Sequence, residues 1–168
     1  MKYILILFVF LISCQVLSSA QTAENYLDSG YARAKLGDYK GAIQDYNKAI
    51  ELDTTLADAY LSRGHAKADL VDYRGAILEF NKYIELRPND DNAYISRGNA
   101  KAKLGDYRGA FLDFNKAIEL RPNHGYGYFI RGNAKARLGD KEGACLDWSK
   151  SGELGFTEAY NSIKKYCQ

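Results

Sequence analysis

Apolar residues recur along the chain at helical spacing, in short segments separated by polar breaks. The stretch Ala93–Asn123, AYISRGNAKAKLGDYRGAFLDFNKAIELRPN, has this spacing on both sides of Gly105 and Asp106. Glycine permits the left-handed backbone of a tight turn, and aspartate at a helix start can accept hydrogen bonds from exposed backbone N–H groups. The stretch therefore predicts a helix, a tight turn and a second helix.

This pattern occurs four times, with a period of 34 residues. The positions in register are Tyr26, Tyr60, Tyr94 and Tyr128; Gly30, Gly64, Gly98 and Gly132; Ala42, Ala76, Ala110 and Ala144; and Tyr46, Phe80, Phe114 and Trp148. A period of this size is typical of stacked helical repeats, in which each unit buries its apolar face against its neighbour. We expect an all-α chain.

The repeated positions resemble the tetratricopeptide repeat (TPR) family, from Ala23 to about Tyr160. The aromatic, glycine, alanine, phenylalanine and proline of the family pattern stand here as Tyr94, Gly98, Ala110, Phe114 and Pro122. The resemblance implies a right-handed α-solenoid of tandem helix-turn-helix repeats that binds protein. It does not name a partner.

The organisation we predict is a signal peptide at 1–20, four repeats within 21–156 and a C-terminal capping helix at 157–168. The repeats fall at about 25–58, 59–92, 93–126 and 127–156. The register breaks after Leu154, and a last helix follows in which Tyr160 and Ile163 would cover Trp148 and Leu146 of the fourth repeat.

The N-terminal segment differs from the repeats. Lys2 precedes an apolar run, Tyr3–Ile12, that is too short to span a bilayer and is typical of a secretory signal. Ser18 and Ala20 place small residues for cleavage before Gln21, which predicts a periplasmic or secreted protein. Two alternatives remain: a lipoprotein anchored in the membrane through Cys14, and an uncleaved anchor. Otherwise we expect no membrane contact.

Charges are dispersed along every helix, and the formal net charge is only +2. This balance argues against a nucleic-acid partner, which would require a basic face. Oligomeric state is not encoded in the pattern; we expect a monomer.

Basic residues occupy half-buried positions in the first helices, and each second helix carries an acid before its aromatic position. We predict three structural ion pairs: Arg63 with Glu79, Arg97 with Asp113, and Arg131 with Asp147. A cation left unpaired between packed helices would cost several kcal/mol. Because the pairs recur in each repeat, a structural role is favoured over a catalytic one.

Cys145 lies on the apolar face of the last repeat, and Cys167 ends the capping helix. In an oxidising compartment we predict a disulfide between them. The alternative is a small core residue and a free thiol.

Function is expected in the groove formed by the first helices, where the family resemblance places the exposed positions. These are an apolar line of Leu27, Leu61, Ile95 and Phe129, a second line of Tyr31, His65, Asn99 and Asn133, a rim that includes Arg137, and the contact residue Tyr126. Asn99 and Asn133 would bond the backbone of an extended peptide. They could equally be ordinary surface residues. Family members that clamp a C-terminal carboxylate have lysines along the apolar line, which disfavours that clamp here.

An enzyme has little support. The two histidines, His65 and His124, lie in different repeats without a nucleophile or metal-ligand spacing beside them, and we expect His124 to face solvent. No cofactor or metal is expected. The leading function is an exported protein-interaction scaffold, and the alternative is a structural spacer subunit of an envelope complex without a groove ligand.

Two local departures have consequences for folding. Val71 replaces the turn glycine of the other repeats, so we expect a strained or altered turn. Glycine also occupies the third position of every second helix, at Gly41, Gly75, Gly109 and Gly143. We expect a close approach by the neighbouring repeat to explain these four.

Overall fold

The structure, a computed structural model, describes residues 22–167. They form two compact units that divide after Val71. The first unit contains helices α1 (22–35), α2 (Tyr39–Leu52) and α3 (Ala57–Asp69); the second contains α4 (Tyr73–Leu86), α5 (Asp91–Lys103), α6 (Tyr107–Leu120), α7 (Gly125–Arg137), α8 (Lys141–Glu153) and α9 (Ala159–Tyr166). Within these residues all regular structure is helical, which confirms the all-α prediction. The predicted signal peptide lies outside the described residues.

In the first unit, α2 packs against both α1 and α3. Leu27 of α1, Tyr46 of α2 and Ala59 of α3 are buried in one apolar cluster. Tyr46 is almost completely enclosed, and this burial raises the pKa of its phenol to about 12.

In the second unit, each helix packs against the next along the chain, from α4 to α9. The cluster at its centre joins Tyr94 and Ile95 of α5, Phe114 of α6 and Ile130 of α7. A separate cluster of Ala144, Trp148 and Ala159 joins α8 to α9, so successive helices bury apolar residues between them, as expected for stacked hairpins.

Repeated glycines allow the two helices of a hairpin to cross closely. A Cβ atom on Gly98 would lie 2.4 Å from the Phe114 ring, and one on Gly132 would lie 2.7 Å from Nε1 of Trp148. The same relation holds in the first unit, where a Cβ on Gly30 would lie 2.3 Å from the Tyr46 ring. These glycines make room for the aromatic residue that fills the crossing.

The glycines at the third position of α2, α4, α6 and α8 have a different role. The N-cap residues Asp38, Asp72, Asp106 and Asp140 each accept a hydrogen bond from the backbone N–H of the glycine three residues on, at 2.8 to 2.9 Å. A Cβ on any of these glycines would lie 2.1 to 2.2 Å from a carboxylate oxygen of its own cap. The expectation that a neighbouring repeat excludes side chains here was wrong, because the capping carboxylate occupies the space.

Val71 adopts the left-handed backbone that glycine adopts in the other turns. Its φ is 66°, compared with 82° at Gly37, 83° at Gly105 and 90° at Gly139. The turn retains its shape, and the expected strain falls on a β-branched residue at positive φ.

Replacing Val71 by glycine should raise the free energy of unfolding by about 1 kcal/mol. Removing strain of roughly 1 to 3 kcal/mol outweighs the extra freedom that glycine gives the unfolded chain. Urea denaturation followed by circular dichroism measures the change. The matched variant Gly105→Val should lose stability, and a gain in it would contradict the explanation.

The capping helix α9 packs on α8, although its contacts differ from those predicted. Ala159 and Ile163 pack around Trp148, and the Tyr166 ring lies 5.7 Å from the Trp148 ring. Tyr160 is 55% exposed and Leu146 is 67% exposed, so the expectation that Tyr160 helps to cover Leu146 was wrong. Leu146 faces away from the cap on the outer side of α8.

The two sulfurs of Cys145 and Cys167 are joined in a disulfide, with an S–S distance of 2.02 Å. Cys145 belongs to α8 and Cys167 follows the last residue of α9. The bond therefore ties the C-terminal end of the capping helix to the helix beneath it.

Candidate functional site

In the second unit, α5 and α7, which are the first helices of their repeats, line a pocket of about 520 Å³, named here the α5–α7 pocket. Its lining residues are Asn99, Ala102 and Lys103 of α5, Tyr107 and Phe114 of α6, and Tyr126, Ile130, Asn133, Ala134 and Arg137 of α7. Four of the predicted groove residues, Asn99, Tyr126, Asn133 and Arg137, therefore meet around one pocket.

A second pocket of about 480 Å³ adjoins the first, because Asn133 and Arg137 line both. The remaining lining residues of this terminal pocket are Ala136, Lys141, Ala144, Trp148 and Tyr166. Tyr166 comes from the capping helix, so α7, α8 and α9 all contribute. The two pockets together are named here the second-unit groove.

The first unit has a smaller pocket of about 180 Å³, lined by Tyr31, Ala34, Tyr39, Tyr46, Ser62, His65, Ala66 and Asp69. Tyr31, Tyr39 and Tyr46 stand 68 residues before Asn99, Tyr107 and Phe114 of the α5–α7 pocket, which is two repeat periods. The pockets thus recur with the repeat, and predicted groove residues Tyr31 and His65 line one of them.

Charge distinguishes the pockets. Lys103, Arg137 and Lys141 line the second-unit groove, and none of the Asp and Glu side chains that the structure describes lines it. Among the residues the structure describes, these three cations form no ion pair; the Arg137 guanidinium lies 5.9 Å from the Tyr107 ring centroid. The first-unit pocket instead contains Asp69. Desolvation lowers the pKa of His65 there, and the carboxylate of Asp69 opposes this shift.

The predicted apolar line does not lie free in the groove. Leu27 is 7% and Ile95 is 6% exposed, and each belongs to the core of its unit. Phe129 packs against Phe156, with ring centroids 5.0 Å apart, and Leu61 is half-buried. The prediction was wrong for Leu27 and Ile95, whose apolar surface is buried in the cores of their units, and Phe129 is engaged by Phe156.

The two groove asparagines differ. Asn133 accepts a hydrogen bond from Nε1 of Trp148 at 3.1 Å, which occupies its amide oxygen and leaves its N–H groups for a ligand. In the described part of the chain, the Asn99 side chain has no hydrogen-bond partner. Tyr126 packs against Phe156 at 5.5 Å, so only part of its ring faces the groove.

Largely buried ion pairs join neighbouring helices of the second unit. Arg97 donates two hydrogen bonds to Asp113, at 2.6 and 3.0 Å, and Lys101 adds a contact at 2.8 Å. Arg131 repeats this geometry with Asp147 at 2.7 and 2.8 Å, and the hydrogen bonds raise the pKa of Arg131. Arg63 and Glu79 belong to different units, so their pairing stays a prediction.

Sequence reasoning missed a second partner of these arginines. Arg97 also donates to Oδ1 of Asn81, and Arg131 donates to Oδ1 of Asn115, both at 2.8 Å. Arg97 and Arg131 thus each join the preceding helix to the following one. The signal was present, because Asn47, Asn81 and Asn115 follow the repeat period.

A further cluster surrounds Asp91, which is 4% exposed. Its carboxylate contacts Arg121 at 2.5 Å and Nδ1 of His124 at 3.0 Å. His124 was expected to face solvent, and that expectation was wrong: it fixes the loop between α6 and α7 to the start of α5. The sequence hint was an aspartate where the other repeats have Ala23, Ala57 and Gly125.

Within residues 22–167, no group of three or more His, Cys, Asp or Glu side chains is arranged to hold a metal ion. None of the helices in this range is long and apolar enough to cross a bilayer.

Comparisons with known proteins place these observations in a family. Three repeat models match: a TPR repeat at residues 30–71, and tetratricopeptide repeats at 57–90 and 92–124. A comparison with curated protein sequences finds no significant match.

Solved structures provide close matches to the fold. The crystal structure of MamA protein has a TM-score of 0.80 and 26% identity, covering 85% of this chain and 79% of that chain. The first TPR of Spaghetti (RPAP3), bound to the HSP90 peptide SRMEEVD, has a TM-score of 0.69 and 25% identity, covering 71% of this chain and 95% of that chain. With its helices packing in consecutive hairpins and its repeat signature matched, the chain belongs to the tetratricopeptide repeat family.

Proposed function

We propose that the chain is an exported protein-interaction scaffold that binds an extended segment of a partner protein in the second-unit groove. The observation that carries this proposal is the continuity of two pockets, of about 520 and 480 Å³, through Asn133 and Arg137. Concave, pre-formed sites with a few polar groups on apolar walls are typical of ligand sites.

The polar groups that line the groove support a peptide ligand. The Asn99 amide and the N–H groups of Asn133 can bond a peptide backbone. Lys103, Arg137 and Lys141 supply positive charge that is not engaged in an ion pair with any described residue. The similar structure of Spaghetti (RPAP3) holds a peptide, which is consistent with this use of the fold.

Export remains part of the proposal. The charged start, the apolar run of Tyr3–Ile12 and the small residues Ser18 and Ala20 support a cleaved signal. The Cys145–Cys167 disulfide is consistent with an oxidising compartment. The intact mass of the mature protein tests this point, since cleavage before Gln21 and lipidation at Cys14 give different masses.

Groove binding is tested by quantitative affinity capture from the native compartment. The variant carrying Asn99→Ala and Lys103→Ala should recover the specific partner at least tenfold less than wild type, because both groups would contact it. Phe129 is unsuitable for this purpose, since it is partly buried and packs against two core clusters, so its replacement would also affect stability.

The matched control changes the outer face instead of the groove. Leu78→Ala with Leu112→Ala alters two exposed leucines and should retain the partner. Equal recovery by wild type and the groove variant would exclude groove binding and favour a structural spacer.

A further inference from the structure

We propose that the first-unit pocket binds a basic side chain of a partner protein, which contacts the rings of Tyr31 and Tyr39 and the carboxylate of Asp69. This inference goes beyond the proposed function, because it assigns a ligand to the other unit and does not depend on the second-unit groove. Three helices line the pocket, with Tyr31 on α1, Tyr39 at the start of α2 and Asp69 at the end of α3. Its volume of about 180 Å³ lies below the roughly 300 to 1,000 Å³ of most ligand pockets, which suits one side chain and not an extended segment.

A comparison of equivalent positions in the two units supplies the first reason. In the second unit, the guanidinium of Arg137 lies 5.9 Å from the centroid of the Tyr107 ring. Two repeat periods earlier, the equivalent residues are Asp69 and Tyr39. The ring is therefore retained, but no Lys or Arg side chain of the described part of the chain lies over it. Since the face of a tyrosine ring attracts a cation, a partner can supply the cation that Arg137 supplies in the second unit.

Charge supplies the second reason. Asp69 contributes a carboxylate that forms no ion pair with any described Lys or Arg residue. Lys103 lines the α5–α7 pocket, whereas its counterpart Lys35 is not part of the first-unit lining. Desolvation lowers the pKa of His65, so its imidazole is mostly uncharged at neutral pH. The pocket therefore attracts a cation and does not repel it.

The exposed rings and their hydroxyl groups supply the third reason. Tyr31 is 44% exposed and Tyr39 is half-buried, so both offer surface to a ligand. Tyr46 is enclosed and packs edge-on against Tyr31, with ring centroids 6.0 Å apart, so it supports that ring instead of contacting the ligand. Phenol and carboxylate oxygens accept hydrogen bonds, which a lysine or arginine side chain donates and a quaternary ammonium group cannot. The lining therefore favours a basic side chain of a protein.

Nuclear magnetic resonance of the ¹⁵N-labelled protein tests the inference, because it detects weak binding and locates it. The probes are Nα-acetyl-arginine amide and Nα-acetyl-lysine amide, and the neutral control is Nα-acetyl-citrulline amide, in which an oxygen replaces one guanidinium nitrogen. We expect at least one basic probe to cause saturable shifts in the backbone amide signals of Tyr31, Tyr39 and His65. The citrulline probe should bind about tenfold more weakly, because it lacks the charge. Signals of Asn133 and Lys141 should stay unchanged, since cations line the second-unit groove.

Asp69→Asn and Tyr31→Leu should each weaken binding of the basic probe about threefold, since each removes one contact at an exposed position. Asp58→Asn makes the same change at an exposed acid of α3 outside the pocket lining and should leave binding unchanged. Asp69→Arg copies the second unit and should abolish binding, because the protein's own cation then lies over the Tyr39 ring. The unshifted amide signals of each variant show that it is folded.

Equal binding of the citrulline probe, absence of saturable shifts with both basic probes, or unchanged binding in Asp69→Asn or in Tyr31→Leu would overturn the inference. Tetramethylammonium tests the other occupant, and tighter binding of this ion than of both basic probes would also overturn it. None of these results bears on the second-unit groove. That groove is tested separately, by partner capture with the variant carrying Asn99→Ala and Lys103→Ala.

Discussion

Replacing Asp113 by alanine should lower the free energy of unfolding by about 3 kcal/mol, a large effect for a single site. The carboxylate accepts two hydrogen bonds from Arg97 and a third contact from Lys101, and its side chain is 5% exposed. Its removal leaves two cations between packed helices without their partner, which typically costs 3 to 5 kcal/mol. Because Arg97 and Lys101 remain 18% and 23% exposed, water compensates in part and the lower figure applies.

Urea denaturation of the full chain measures this loss. Glu119→Ala is the matched control, because it also removes a carboxylate from a lysine but on the exposed surface, where Glu119 meets Lys116 at 3.2 Å. That variant should change stability by less than about 0.5 kcal/mol. Similar small losses in both variants would show that the buried pairs do not stabilise the hairpin.

Removal of the disulfide by Cys145→Ser with Cys167→Ser should cost about 3 kcal/mol. The bond closes a loop with a sequence separation of 22 residues, and a crosslink of that length restricts the unfolded chain by an amount of this order. The loss should appear first in α9, because without the bond only side-chain packing, such as that of Ala159 and Ile163 around Trp148, holds the cap.

Denaturation in the presence and absence of dithiothreitol measures the contribution. Reductant should lower the stability of the wild type to that of the serine variant and leave the variant unchanged. If the reduced wild type kept its full stability, the disulfide would not be what holds the cap.

The repeat pattern was sufficient to predict the fold. Tyr94, Gly98, Ala110 and Phe114 recur at fixed intervals because each fills a recurring place where two helices meet. Such positions tolerate few alternatives, so their identity reveals the packing. Arg97 and Asp113 were predictable for the same reason, since opposite charges recurred at facing positions.

The groove was predicted less well. Positions that share one face in a helical projection, such as Ile95 and Asn99, separate once the next helix packs, because Ile95 is covered and Asn99 lines the pocket. How far a neighbouring helix covers a face depends on the angle at which the two cross. The sequence of one repeat does not specify this angle, so the apolar line could not be distinguished from core.

Contacts made by residues outside the pattern were also missed. The side chains of Asp91 and His124 are hydrogen-bonded although they are 33 residues apart in the sequence. Neither residue type recurs at the equivalent position of the other repeats. The role of the glycines at the third helix position was predicted wrongly, because the atoms that exclude a side chain there belong to the same helix start and not to a neighbouring repeat. The carboxylate of the preceding cap, such as Asp106 at Gly109, fills the space that a side chain would need.

The charged residues of the second unit fall into two groups. Paired charges such as Arg97 with Asp113 join its helices, whereas Lys103, Arg137 and Lys141 line the groove without an ion-pair partner in the described part of the chain. A charge without an ion-pair partner costs little free energy where water solvates it, and such charges remain available to a ligand. The groove cations are therefore the residues from which binding is expected.

Site-specific photocrosslinking in the native compartment tests the central claim most directly. A photoreactive phenylalanine replaces Asn99 in the groove, or Leu112 on the outer face of α6, in otherwise unchanged chains. We expect a discrete crosslinked partner from position 99 and none from position 112. Crosslinking only from position 112 would contradict the account, because the partner would then bind the side of the helices opposite to the pockets.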